Sequence, residues 1–221
     1  MAEKIPLGAT LADVGSDHGY LPIYLCENGK IKSAIATDIN RGPVKNAEEN
    51  IAAHGLENRI STRLCDGMEG LLAGEFDTVS ICGMGGELIF RIINNSLVKT
   101  CRPKLVLQPM SSIEDMSYLF AKEGFYITDD LWVKDGGHIY RVLCAEYDGT
   151  PYEITPLEAH VGRINLSRKD EVTLLYTEKL KRQTEYKIKA KTEGGNSDTA
   201  EDLALLEMIN KYLEGEGNEV F

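Results

Sequence analysis

The sequence predicts an α/β fold: a mostly parallel β-sheet closed by an antiparallel hairpin, followed by a C-terminal helical hairpin. Three observations predict it. Over the first 150 residues, short strand-like runs alternate with helical stretches, which implies right-handed βαβ units around a parallel sheet. Two strand-like runs then follow each other around Asp135-Gly136-Gly137 with no helix between them, and Asp-Gly is a hairpin turn signal. Residues 157–192 and 200–213 then read as helix, rich in good helix formers. The expected division is a sheet domain over residues 1–150 and a helical hairpin, like a small coiled coil, over residues 157–221.

Taken in order, "TLADVG" reads as a buried strand, and "LPIYLCENG" as a helix closed by Gly29. "SAIATDIN" is the next strand. "GPVKNAEENIAAHG" is a helix, with Pro43 in its first turn and Gly55 past its end. "ISTRLCDG" and "FDTVSICG" are strands, and "ELIFRIINNS" is a helix. "KLVLQPM" is a strand stopped by Pro109, and "SSIEDMSYLFAKEG" a helix ended by Gly124. In the first C-terminal helix the expected apolar stripe is Val172, Leu175, Tyr176, Leu180 and Gln183. In the second it is Leu203, Leu206, Ile209 and Leu213, and "EGGNSDT" is the linker between them.

Composition excludes several classes. No run of about 18 apolar residues is present, so no membrane span is expected. The start, "MAEKIPLGAT", lacks the basic head and apolar region of a secretory signal. Five scattered cysteines without a C-x-x-C pair indicate free thiols in a reducing cytoplasm. The net charge of −11 argues against whole-surface affinity for nucleic acid. Residues 166–192 are the exception, with eight Lys and Arg against four acids.

Chemistry concentrates where strands end. Asp13 closes the first strand, and Gly15 and Gly19 sit in the turn that follows, with Ser16, Asp17 and His18 between them. Glycines there let a ligand approach the backbone closely. G-x-x-x-G alone is not diagnostic, since strand-to-helix turns made only for folding carry glycine too. Asp38, about 20 residues on, is placed to accept hydrogen bonds from a ribose, or else to cap the next helix. Asp66-Gly67 follows the third strand as an acidic turn. "CGMGGELI" leaves bare backbone at the end of the fourth strand, and "LQPM" ends the fifth, a plausible wall for a flat base. The histidines show no metal-ligand spacing, and no metal is expected.

A sheet that ends in an antiparallel hairpin resembles the Rossmann-like class I methyltransferases, whereas a nicotinamide-binding domain usually ends on a parallel sixth strand. "ADVGSDHGYLP", the Asp-Gly after the third strand, "CGMGGELI" and "LVLQP" together resemble the bacterial TrmK family, the tRNA (adenine-22-N1)-methyltransferases. The resemblance continues into the C-terminal helical hairpin. It departs in having about ten residues before the first strand, where the family carries a short helical segment. It implies S-adenosylmethionine as methyl donor, tRNA as partner and N1 of an adenine as acceptor. The sequence leaves the oligomeric state open, with a monomer favoured. Carried over by position, Asp13, Gly15, Ser16 and Gly19 would hold the methionine part of the cofactor. Asp38 would bind the ribose, Ile39 would lie against the adenine, Asp66 and Gly67 would bind the adenine edge, and Gly83 would border the cofactor and the target base. Tyr20, Met84, Gly85, Gly86, Gln108 and Pro109 would meet the target base.

Adenine N1 is a nucleophile and the sulfonium a strong electrophile, so alignment could supply most of the acceleration, up to about 7–11 kcal/mol. Asp17 is the candidate to stabilise the cationic product base, or else it bonds within the turn or to the cofactor amine. His18 could relay a proton or serve the turn alone. The basic helix, through Lys179, Lys181 and Arg182, could contact the tRNA backbone, or be a solvated face. Two rival readings remain open at this level: methylation of a small molecule or protein, and a binding module without catalysis.

Overall fold

The computed structural model describes residues 1–194 and 198–215. They form two compact units, and the division does not follow a single cut near residue 150. The first unit comprises Met1–Asp129 and Val142–Tyr152, and the second takes Asp130–Arg141 together with the chain from Glu153 onward.

In the first unit a short 3-10 turn, Ala2–Lys4, leads into β1 (Ala9–Val14), α1 (Tyr20–Glu27), β2 (Ile31–Asp38), α2 (Arg41–Ala53) and β3 (Ile60–Leu64). There follow β4 (Thr78–Gly85), α3 (Gly86–Ile93), α4 (Ser96–Cys101), β5 (Lys104–Ser111), α5 (Ile113–Glu123), and then β6 (Phe125–Asp135) and β7 (His138–Tyr147), of which Asp130–Arg141 belongs to the second unit. The strand order is β3-β2-β1-β4-β5-β7-β6. Strands β1 to β5 pair in parallel, and β7 runs antiparallel to β5. The parallel sheet with its closing antiparallel strand is the one that the sequence predicts. The order reverses between β1 and β4, so the chain leaves these neighbouring strands in opposite directions and opens a crevice at their carboxyl ends.

Side chains alternate between two cores. Ala12, Val14, Val79, Ile81, Leu105 and Leu107 join Ile89, Ile93, Met116 and Phe120 of α3 and α5 on one face. Leu11 and Val106 join Ile23, Leu25, Ala47 and Ile51 of α1 and α2 on the other. The helix expected over "ELIFRIINNS" is two helices, because Asn95 accepts a hydrogen bond from Val98 N at 2.9 Å and caps α4.

The second unit corrects the expectation of one helix over residues 157–192. Three helices occupy it: α6 (Pro156–Val161), α7 (Arg163–Arg168) and α8 (Glu171–Glu193). Thr155 and Glu158 form a reciprocal capping box that starts α6. Gly162, at φ +94°, ends it. A Cβ there would lie 2.0 Å from Asp130 Oδ2 and 2.7 Å from Arg141 Nη2. Those atoms form a fully buried, two-pronged ion pair, Nε to Oδ1 at 3.0 Å and Nη2 to Oδ2 at 2.7 Å. Arg141 also donates to Ala159 O, Arg168 donates to Asp130 O, and Trp132 donates to Val161 O. The chain breaks at Gly162 to make room for this cluster, which no local pattern announces.

The helix α9 (Ala200–Glu214) packs on α8 and α6 through Leu157, Leu180, Leu205, Ile209 and Tyr212. The expected stripes are corrected as well. On α8 the buried positions are Thr173, Thr177, Leu180 and Thr184, while Gln183 is exposed. On α9 they are Asp202, Leu205, Ile209 and Tyr212, and Leu203 is 51% exposed. Threonine hydroxyls bonded to carbonyls one turn back, Thr177 to Thr173 and Thr184 to Leu180, make the α8 seam tolerable when buried. Within the expected linker, residues 195–197 lie outside the described residues, as do residues 216–221 of the expected hairpin.

Arg141→Leu leaves Asp130 buried without its counter-charge. The substitution is expected to destabilise the second unit by about 3–5 kcal/mol, measured by chemical denaturation.

Candidate active site

Each loop at the carboxyl edge brings one group to the crevice. Asp13, at the end of β1, is 6% exposed, and Ser80 of β4, its register partner, donates to its Oδ1 at 2.5 Å. Burial pushes the Asp13 carboxyl above the ordinary range, and the hydroxyls of Ser16 and Ser80 beside it offset part of that rise. The turn itself is fixed to β2, since the N–H groups of Gly15 and Ser16 both donate to Thr37 O, at 2.8 and 2.9 Å. These two amides are therefore engaged, and the turn offers a ligand its bare Cα surface instead. Gly15 has φ +77°, and a Cβ on it would lie 2.1 Å from Met84 Cε. Thus the Met84 side chain, from the end of β4, lies directly against the glycine of the β1 turn.

Asp17 and His18 occupy the outer part of the turn, with His18 Nε2 3.2 Å from Asp17 Oδ2. Asn50 of α2 donates to His18 O at 3.0 Å and holds the turn down. The His18 ring stacks on Tyr20 at 5.0 Å and 16°, and Tyr20 is 68% exposed. Tyr24, one helical turn on, is also exposed and was not singled out by sequence reasoning. Asp38, at the end of β2, accepts from Asn40 N at 2.8 Å, which fixes its carboxylate ahead of α2. Ile39 is exposed beside it, and so is Leu64, the register partner of Asp38 on β3. Leu64 is a further apolar contact that the alternation of "ISTRLCDG" leaves indistinct.

Asp66 and Gly67 line a cleft of about 440 Å³ together with Met68, Arg91, Ile92 and Asn95. Gly67 has φ +55° and rests on Ile92 of α3. Near the end of β4, Gly83 has φ +76° and its N–H donates to Gln108 Oε1 at 3.1 Å. Pro109 pairs with Met84 in the β4–β5 ladder. Gly85 faces Ser111 Oγ. Gly86 is explained by packing, because a Cβ there would lie 2.4 Å from Ser112 O. Asp13, Gly15, Ser16, Asp38, Asp66 and the Gly83–Gly86 segment thus all stand at or just past the carboxyl ends of β1 to β4.

The residues fit a nucleoside-bearing methyl donor. The buried Ser16 Oγ has no partner in normal hydrogen-bond geometry. Two exposed apolar side chains, Ile39 and Leu64, flank the Asp38 carboxylate at the strand ends. A polar orphan beside an acid, and an apolar pair beside another, match the amino-acid and nucleoside ends of such a group.

In the second unit, Lys179 and Arg182 are exposed on α8, and Lys181 is half-buried. Lys187 and Lys191 instead pair with the buried Asp202 of α9, at 2.8 and 2.6 Å. The two lysines hold the Asp202 carboxyl below its ordinary range. Tyr186, 76% exposed, lies one turn beyond Arg182. No helix among the described residues is long and apolar enough to cross a membrane.

Sheet order, closing hairpin and edge loops define a class I methyltransferase. A family model described as a methyltransferase domain matches residues 1–143. The Bacillus subtilis (strain 168) tRNA (adenine(22)-N(1))-methyltransferase is 40% identical over 158 residues, which span 67% of this chain and 66% of that protein. The crystal structure of the B. subtilis M1A22 tRNA methyltransferase TrmK superposes with a TM-score of 0.78 at 31% identity, covering 96% of this chain and 92% of that one. Streptococcus pneumoniae Sp1610 in complex with S-adenosyl-L-methionine gives a TM-score of 0.82 at 29% identity over 96% and 95%. The chain belongs to the TrmK family.

The raised Asp13 carboxyl sets a pH dependence. Its ionised form is disfavoured in the fold, so wild-type stability increases as pH falls through the raised folded value. Asp13→Asn is therefore expected to be the more stable protein at neutral pH and to lose that advantage on acidification, as read from urea midpoints across pH.

Proposed function

We propose that this protein transfers the methyl group of S-adenosylmethionine to N1 of an adenine in tRNA, at position 22 as in the named B. subtilis relative. The observation that carries the reading is the reversal of strand order between β1 and β4, with cofactor-type residues at the strand ends beside it, the exposed Tyr20 ring stacked on the half-buried His18, and the Gly-Met-Gly-Gly segment ending β4. The cofactor supplies an electrophilic methyl group. Asp13, Gly15, Ser16 and Gly19 would receive its amino-acid end, Asp38 its ribose, and Ile39, Asp66, Gly67 and Gly83 its base.

The chain's own work is alignment. N1 lies on the pairing edge of adenine, so the base must be unpaired or extruded, at a cost of a few kcal/mol. The outer face of Tyr20, backed by His18, offers a stacking surface for it, worth about 1–3 kcal/mol. Met84, Gly85, Gly86 and Pro109 would wall the base, and Gln108 lies behind that wall. Asp17, exposed at the mouth, would stabilise the positive charge that grows on the ring as N1 is alkylated. The proton lost when the product returns to neutrality would pass to His18 or to water. Lys179, Lys181 and Arg182 would neutralise phosphates, with Tyr186 as an aromatic neighbour on the same helix. The free thiols and the absence of an apolar spanning helix among the described residues suit a cytoplasmic site of action.

The test is transfer of labelled methyl from S-adenosylmethionine to unmodified tRNA, with nuclease digestion of the product. The expected product is 1-methyladenosine; label in another nucleoside, or none with cofactor bound, would refute the assignment. Asp38→Ala is expected to weaken cofactor binding about 10- to 100-fold by loss of charged hydrogen bonds. Asp17→Asn should lower kcat about 100-fold with little change in cofactor affinity. Neutralising Lys179 and Arg182 together should raise KM for tRNA and reduce the salt slope of binding by about two.

A further inference from the structure

Gln108 stands where a base-reading side chain would be expected, yet its amide is engaged within the protein. Its Oε1 accepts from Gly83 N–H at 3.1 Å, and its Nε2 donates to Pro109 O at 3.0 Å and contacts Met110 Sδ at 3.3 Å. The reason lies in the β4–β5 ladder. Cys82 pairs with Gln108 in register, but the register then slips on both sides of Met84, which pairs with Pro109. Proline has no N–H to contribute, and a slipped ladder leaves backbone groups without strand partners. The Gln108 side chain replaces what the ladder loses, taking the Gly83 donor and returning a donor to the Pro109 carbonyl. An amide is the side chain that can do both at once.

What this arrangement places is Met84. Gly83 has φ +76°, so the chain turns sharply there, and the next residue lays its methyl against Gly15 of the β1 turn. Gly83 is exposed, and on its other side nothing lies within 4 Å of where a Cβ would stand. The Gln108 amide is thus the side-chain bond that ties down an otherwise open glycine. Bulges next to active sites commonly re-aim a side chain in this way.

We propose that Gln108 is a positioning residue of the transfer reaction: its amide staples the Gly83 turn across the β4–β5 bulge and thereby fixes Met84 against the cofactor turn, rather than reading the target base. The inference rests on the proposed methyltransferase reading for its kinetic consequence, but the staple itself can be tested without turnover. Misplacing a group that borders the reacting atoms by about 1 Å costs on the order of 100-fold in rate. A lost base contact made equally in ground and transition states would instead raise KM and leave kcat alone.

Two variants separate these cases. Gln108→Leu removes both bonds. Gln108→Glu keeps the acceptor for Gly83 N–H and loses the donor to Pro109. Amide hydrogen exchange at Gly83, followed by NMR on the full chain, reports the staple directly. The expected result is loss of Gly83 protection in Gln108→Leu, with kcat down about 100-fold and KM for tRNA and cofactor affinity within about threefold of wild type. Gln108→Glu should keep Gly83 protected and recover at least about tenfold of the lost rate. Wild-type protection of Gly83 in Gln108→Leu, or a raised KM with unchanged kcat, would overturn the proposal. If the wild-type protein methylated no tRNA, the functional reading would fall, and the exchange measurement would still decide the staple.

Discussion

The hydrogen bond from Ser80 to Asp13 crosses the sheet at the point where its strand order reverses. Burying a carboxylate in the middle of an α/β core is costly, and two apolar residues would serve that position better for stability alone. The bond joins the ends of β1 and β4, which lie side by side where their loops meet. With that adjacency set, the Thr37 carbonyl of β2 holds the β1 turn from one side, and the Met84 methyl of β4 closes on it from the other. The crevice is therefore a property of three neighbouring strands, and the residues that form it come from sequence positions more than 60 apart.

Glycine serves two physical purposes at these positions. Gly15 and Gly83 take backbone conformations with positive φ that turn the chain back over the crevice. Gly86 has ordinary helical entry geometry and is small because the Ser112 carbonyl lies beside it. Gly162 combines both, since its positive φ ends a helix and its missing side chain leaves room for the Asp130–Arg141 pair. A motif such as Gly-Met-Gly-Gly therefore mixes residues that shape a ligand surface with residues that permit packing.

Charge in the second unit follows the same logic of tertiary selection. The acidic helix α9 does not screen the basic helix α8 evenly. Asp202, buried between them, holds Lys187 and Lys191 near the end of α8, whereas Lys179 and Arg182 remain exposed toward its middle. The surface that α8 can present to a polyanion is thus narrower than its count of lysines and arginines implies. It is punctuated by an exposed tyrosine.

The sequence by itself determined the alternation of strands and helices, the closing hairpin, the glycine turns and the acids at the strand ends, because each depends on local periodicity or turn chemistry. It also carried enough of Gly-Ser-Asp-His-Gly-Tyr and Gly-Met-Gly-Gly to point to the family. Only the tertiary structure decided the breaks at Asn95 and Gly162, the faces of α8 and α9 that are buried, and the division of the hairpin between the two units. The same holds for Leu64 and Ser80, which gain their meaning from register partners on other strands, and for Gln108, whose polar amide read from sequence faces a substrate but in the fold turns onto Gly83. Local signals depend on spacing along the chain, whereas partners of buried polar groups depend on which strands lie adjacent, and that is settled when the core packs.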